Sequence, residues 1–291
     1  MRGELCLLIV GLTVLAPAAR AQSAANGTIL AARAVPPTVQ IKMWSTAGHV
    51  RLVAWDRDSV VVRGRVSASE RFFFSLDGSA LKLGVEARPG AGTTGRSDLV
   101  VHVPRRGGVS VKTVSAEIVS DGVTGWFYSV SGSIRLSGRA SSIDAESMTG
   151  SLDLDVTTPW IHARTGDGHL LLRGEPQDAD ASTIGGTLSI ATRTLVRGQF
   201  ASVSGDIRYV GTPAAASIFE FTNHSGGVDL LLPPNASASL TLSSITGPIE
   251  NGFTQVRPIA STPRSMRLSL GRGEAQVAVR TFRGTIRIHP R

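Results

Sequence analysis

One short phrase, Val130-Ser-Gly-Ser-Ile134, returns with small changes as Met148-Thr-Gly-Ser-Leu152 and then as weaker copies along most of the chain. These are Val114-Ser-Ala-Glu-Ile118, Ile184-Gly-Gly-Thr-Leu188, Val203-Ser-Gly-Asp-Ile207, His224-Ser-Gly-Gly-Val228, Ile245-Thr-Gly-Pro-Ile249 and Phe282-Arg-Gly-Thr-Ile286, with a looser Gly166-Asp-Gly-His-Leu170. From Ala116 through Gly132, Gly150, Gly168, Gly186, Gly205, Gly226 and Gly247 the steps are 16, 18, 18, 18, 19, 21 and 21 residues. A fixed period of this length marks stacked units, each too small to bury its own apolar face.

Within each copy the apolar residues alternate, as in Ile134/Leu136, Leu152/Leu154, Leu188/Ile190, Ile207/Tyr209 and Val228/Leu230. Period two puts them on one face of a strand and turns Arg135, Asp153, Ser189, Arg208 and Asp229 to the other. A second alternating stretch follows half a repeat later, as in Ile143-Asp-Ala145, Ile161-His-Ala163 and Phe219-Glu-Phe221. No long stretch carries helical spacing. The expectation is an all-β chain, a β-solenoid of the right-handed parallel β-helix type with coils of about 16–21 residues. The repeated glycine is expected where φ is positive or where coils approach closely, and the Ser or Thr beside it suits a local turn.

The same theme is less regular toward the N-terminus. Gly48 to Val62 reads as two strands about a polar turn at Asp56–Ser59, Leu76 to Leu83 as a hairpin, and Leu99 to Val103 as a strand stopped by Pro104. The expected organisation is a signal peptide over 1–21, a flexible segment over 22–37, an N-terminal β cap of irregular first coils over 38–112, and the repeat region over 113–291. The Pro/Ser/Arg stretch Gln255–Arg267 reads as an exposed loop or arm.

Arg2, the apolar run Leu5–Ala16 and the small-residue end Ala19-Arg-Ala21 have the layout of a secretory signal cleaved after Ala21. The run is shorter than the roughly 20 apolar residues that span a bilayer, and nothing after it reads as a membrane helix. The only cysteine, Cys6, lies inside this signal, so no disulfide or thiolate metal site is expected in the mature chain. Export to the periplasm, the cell surface or the medium follows.

The formal charge is +8, and removing Arg2, Glu4 and Arg20 with the signal leaves +7. Arginine carries the excess, because Lys42, Lys82 and Lys112 are the only lysines. Such a chain is drawn to anionic partners. The absence of long basic runs and the 5% aromatic content argue against nucleic acid. The outward arginines Arg135 and Arg208, with Arg51 and Arg287 on flanking copies, are the candidate ligand contacts.

Catalytic signals are weak. Asp153 and Asp155 share a strand face with Asp144 on the preceding strand, a spacing that could divide acid and base roles on a sugar but that solvated strands also produce. Asp178 and Asp180 lie in what reads as a polar turn, Glu175–Ala181, without the nonapeptide repeat of calcium-binding β-rolls. The six histidines form no zinc signature, and there is no Gly-x-Ser-x-Gly elbow or phosphate loop. No catalytic residue, metal or cofactor is expected.

The turn Trp55-Asp-Arg-Asp-Ser-Val-Val-Val62, the strand end Val101-His-Val-Pro104, the Ser/Thr-Gly phrases and the closing Gly271-Arg-Gly-Glu and Thr281-Phe-Arg-Gly-Thr-Ile-Arg-Ile288 together resemble the DUF4097-type adhesin family of bacterial envelope proteins. The likeness covers most of residues 38–288. It implies an exported solenoid of strand repeats with an adhesive role, and brings no site residues. The expected function is therefore non-enzymatic: binding or scaffolding in the cell envelope, with an envelope polysaccharide, an anionic lipid headgroup or another envelope protein as partner. The competing readings are a carbohydrate-active enzyme on an acidic polysaccharide and a self-associating structural solenoid.

Overall fold

A computed structural model describes residues 21–23, 27–77, 80–91 and 95–291. The expected signal peptide falls almost wholly outside the described residues. Those residues are all-β, with 26 strands hydrogen-bonded into one continuous sheet. Parallel pairing dominates, and it follows the repeat. Ile118, Ile134, Leu152, Leu170, Leu188, Ile207, Val228 and Ile286 are successive register partners in one column of strands. A second column aligns Val111, Phe127, Ala145, Ala163, Ala181, Phe200, Phe221 and Val279.

Each repeat contributes one strand to each column, a pair called a rung below. Inward residues of both columns meet in a single core from Ile29 to Ile288. Tyr209 of one column packs its ring 5.5 Å from Phe219 of the other. Two strands of 14 residues, Leu152–Thr165 and Leu170–Thr183, run through both columns without a break. The Glu175–Ala181 stretch is therefore strand and not a turn: Asp178 pairs in register with Trp160 and Arg197, and its carboxylate bonds Arg197 at 3.2 Å.

The repeated glycines owe their place to close approach. None of Gly132, Gly150, Gly168, Gly186, Gly205, Gly226, Gly284 and Gly247 has positive φ. A β-carbon on any one of them would overlap a main-chain carbonyl oxygen of the residue one rung away, so the glycines stack on each other as a ladder. The local cap comes from three residues earlier in the chain. The buried Oγ of Ser129, Ser147 and Ser244, the Oγ1 of Thr183 and the Oδ1 of Asn223 accept from the glycine N–H at 2.8–3.1 Å. The hydroxyls beside the glycine bond outward to the next rung: Ser131 to the Val114 carbonyl at 3.3 Å, Ser204 to Ile184 at 3.1 Å, Ser225 to Val203 at 3.1 Å. These polar groups are thus satisfied between rungs as well as within them, while the Ser202 Oγ, three residues before Gly205, is buried without a partner.

Rung order departs from chain order at both ends. Strand Gln40–Ser45 lies between Ala80–Ala87 and Gly108–Thr113, and Gly48–Trp55 lies between Ser97–Pro104 and Glu117–Asp121. At the other end Ala275–Thr281 is inserted between Ile218–Asn223 and Ala238–Ser244, and Ile286–Pro290 between Val228–Leu232 and Ile249–Asn251. Antiparallel strands close each end. Segment 22–37, expected to be flexible, holds strand Thr28–Ala34, paired over seven residues with Ser59–Arg65. Glu70–Asp77 and Ala80–Ala87 form a hairpin, and Ser265–Leu270 pairs with both Ala238–Ser244 and Ala260–Thr262. Of the stretch 255–267, expected as an exposed loop or arm, residues 257–265 are exposed, but Ala260–Thr262 and Ser265–Leu270 are strands and Met266 is buried.

Candidate functional site

The candidate arginines fall in one outward row of the first column. In stacking order it reads Val100, Arg51, Val119, Arg135, Asp153, Leu171, Ser189, Arg208, Asp229, Arg287, Glu250. Carboxylates interleave with the cations. Arg135 reaches Glu117 at 3.2 Å and Asp153 at 3.7 Å, while Asp153 also takes Arg173 at 2.6 Å. Arg287 lies 3.0 Å from Glu250 and 3.6 Å from Asp229, and its bond to Glu250 raises the guanidinium pKa further. Arg51 and Arg135 are two rungs apart, and Arg135 and Arg208 four. Charges alternate from Arg208 to Glu250 and between Arg135 and Asp153, while Arg51 lies between Val100 and Val119; on a solvated surface such pairs contribute about 0–1 kcal/mol each.

The three candidate carboxylates do not converge. Asp153 and Asp155 face outward from the first column, whereas Asp144 faces outward from the second, beside His162 at 3.3 Å. Both sheet layers and the core lie between the two groups.

The outward face of the second column carries a different cluster. In stacking order one row reads Lys82, Lys42, Ser110, Trp126, Asp144, His162, Asp180, and the row beside it reads Gly84, Trp44, Lys112, Tyr128, Glu146, Arg164. All three lysines of the chain and three aromatic residues therefore share four consecutive rungs. Gly84 supplies the depression between them. A β-carbon there would strike the Trp44 carbonyl, and its two register partners are Trp44 and Phe73. The result is a groove of about 260 Å³ lined by Lys42, Trp44, Phe73, Lys82, Ser110 and Lys112.

On the rung beside the groove Trp126 and Tyr128 stack, with ring centroids 5.6 Å apart and an interplanar angle of 21°. The Lys112 ammonium sits 5.0 Å from the Trp126 ring centroid, a cation–π distance. Trp44 is 53% exposed, far more than a core tryptophan would be. Among the described residues no carboxylate lies within 4 Å of the Lys42 or Lys112 ammonium, and none lines the groove. Flat aromatic faces beside ammonium groups can take a ligand that is planar or ring-shaped on one side and anionic at its edge. Among the described residues no set of three or more His, Cys, Asp and Glu is placed to hold a metal, and no helix is long and apolar enough to cross a membrane.

Sequence reasoning noted the three lysines as the only ones without bringing them together. They are 40 and 30 residues apart, and only the permuted rung order makes them neighbours.

No known family's sequence profile matches the chain, and no curated protein matches it. Among solved structures it is similar to one described as a "putative adhesin" from Bacteroides fragilis NCTC 9343, at 12% identity over 90% of this chain and 96% of that one, with a TM-score of 0.49. It is also similar to a "putative cell adhesion protein" from Clostridium sporogenes ATCC 15579, at 8% identity over 91% of this chain and 100% of that one, with a TM-score of 0.24.

Proposed function

We propose that this chain is an exported, non-catalytic β-solenoid of the bacterial envelope, wound in the right-handed parallel sense, that binds an acidic polysaccharide through the lysine–aromatic groove. The observation that carries the reading is the clustering of Lys42, Lys82 and Lys112 with Trp44, Trp126 and Tyr128 on four adjacent rungs. Aromatic rings present apolar faces to the C–H faces of pyranose rings, and ammonium groups attract their carboxylates. Rungs repeat at about 4.8 Å, close to the advance of one pyranose unit along an extended glycan. A chain lying along the stack would meet equivalent positions rung after rung.

The resemblance to an adhesin family supports the same reading from the repeat motifs. The carboxylates beside Arg135 and Arg287 give an anion less net attraction there than the groove does.

Co-sedimentation of the chain with polysaccharide, peptidoglycan and outer-membrane fractions of its own host tests the proposal. Lys42→Glu with Lys112→Glu, and separately Trp44→Ala with Trp126→Ala, should each weaken binding to the acidic polysaccharide by about tenfold or more, which is at least about 1.4 kcal/mol. Arg135→Glu with Arg208→Glu should change it less than about threefold on the same scale. Binding that follows the arginines and ignores the groove would sink the assignment. Release of reducing ends or unsaturated sugars would instead favour the enzymatic reading.

A further inference from the structure

The first residue of every repeat phrase lies on one line along the corner where the second column turns into the first. Main-chain bonds fix that line rung by rung: Val130 N–H donates to the Thr113 carbonyl at 3.2 Å, Ile184 to Gly166 at 3.0 Å, His224 to Ser202 at 3.1 Å and Ile245 to Thr281 at 3.1 Å. With Thr46, whose carbonyl accepts from Ser115 at 2.8 Å, the line crosses ten rungs. Val114, Met148, Ile184, Val203, Phe282 and Ile245 stand on it, each 43–58% exposed. The other four positions are Thr46, Val130, Gly166 and His224, so the ridge holds no Asp, Glu, Lys or Arg. The opposite corner differs, because its exposed Trp160 and Ile218 are separated in register by Asp178 and Arg197. Beside the ridge runs a row of hydroxyls, including Ser131, Thr149, Ser204 and Ser225, each bonded to a carbonyl of the rung before. An apolar line without charges beside a polar margin is the composition of an interface core and its rim.

The ridge is also complementary to itself. Gly166 leaves a gap in it, and the gap is fixed, since a β-carbon there would overlap the Met148 carbonyl oxygen. One rung further stands Ile184, the most exposed of the six at 58%. When two ridges lie antiparallel about a two-fold axis between Gly166 and Ile184, Ile184 of each copy enters the Gly166 gap of the other, and Met148 meets Val203. A parallel pair would set gap on gap and Ile184 on Ile184. Both stacks have the same rung spacing, so the match continues along the whole line, and a two-fold contact of this kind closes on itself. Ten rungs at about 4.8 Å give a strip about 43 Å long, and with the hydroxyl row about 15 Å wide; pairing two such strips buries roughly 1,300 Å² in total, within the roughly 1,200–2,000 Å² of stable interfaces.

We propose that this ridge is the interface of an antiparallel homodimer, its partner a second copy of this chain seated with Ile184 in the Gly166 gap. The proposal does not depend on the reading of the lysine–aromatic groove.

Sedimentation equilibrium of the full chain under reducing conditions over about 1–100 μM, a range suited to an interface of this size, should show a monomer–dimer equilibrium. Met148→Glu with Ile184→Glu places charge on exposed ridge positions and should raise the dimer dissociation constant by about tenfold or more, whereas Val196→Glu at the opposite corner should change it less than about threefold. A second measurement reads the register without relying on the fold of the glutamate variant. In a Cys6→Ser background, Met148→Cys with Val203→Cys should oxidise to a covalent dimer, and Val114→Cys with Val203→Cys should not. A wild-type chain that stays monomeric throughout, a dimer that survives in the folded glutamate variant, association that continues past the dimer, or equal cross-linking by the two cysteine pairs would each overturn the proposal.

Discussion

Gly185 and Gly186 sit side by side in one turn yet answer to different constraints. A methyl on Gly186 would overlap the Gly168 carbonyl, which is main chain held in the ladder, whereas a methyl on Gly185 would meet only the tip of the exposed Asp167 side chain at 3.0 Å. Gly186→Ala should therefore cost about 1–3 kcal/mol or more as overpacking, and Gly185→Ala less than about 0.5 kcal/mol as an ordinary surface change. Paired urea melts would show it, and equal midpoints would refute the close-approach account. Tyr209 offers a second test at this scale. Burial pushes its phenol pKa well above the ordinary tyrosine range. The folded state therefore resists ionisation, and the stability Tyr209 contributes is complete below about pH 10 and is lost above it. Tyr209→Phe should flatten the alkaline limb of the stability–pH curve, and an unchanged limb would remove Tyr209 as its cause.

At the scale of elements, the inserted strands matter most. Ala275–Thr281 and Ile286–Pro290 each hydrogen-bond two neighbours, so they join the outermost rung to the rest of the stack. Ending the chain after Glu274 would remove Val277, Val279, Ile286 and Ile288 from the core and leave two strand edges facing an empty rung. Burial of each such side chain contributes about 1.5–3 kcal/mol, of the order of a whole domain's net stability when summed. The truncated chain should lose cooperative thermal unfolding or aggregate through the exposed edges. Replacing Ala260–Thr262, all three exposed, by a Gly/Ser linker should cost less than about 1 kcal/mol by comparison. A truncated chain that melts like the full one would mean the inserted rung is dispensable.

For the whole molecule, charge is distributed rather than summed. Carboxylates pair with Arg135 and Arg287 in the arginine row, whereas among the described residues none lies within 4 Å of the Lys42 or Lys112 ammonium. The formal charge of +8 would by itself produce adhesion that disappears once salt shortens the screening length to about 8 Å at physiological strength. The proposed groove binding combines ring contact with charge, so on that proposal affinity for acidic polysaccharide should fall with salt and then level at a remainder that Trp44→Ala with Trp126→Ala removes. A salt titration that carries wild-type binding to zero would reduce the attraction to generic charge.

Much of this architecture was legible in the sequence because local rules set it. Two-residue alternation determined which side chains face the core, and the 18-residue steps from Gly132 to Gly186 determined which residues become register partners, since each rung must bury the apolar face of the one before. The ladder of glycines followed from the same repetition, although the choice between positive φ and close approach needed the neighbouring carbonyls in view. Three things only the tertiary structure decided. Strand Thr28–Ala34 has its partner in Ser59–Arg65, a pairing that no local pattern announces. Asp144 and Asp153, nine positions apart in the chain, were separated onto opposite faces. Lys42, Lys82 and Lys112 were brought together because the first rungs stack out of chain order, and the order of stacking depends on which edges find each other across long loops rather than on any residue's own preference.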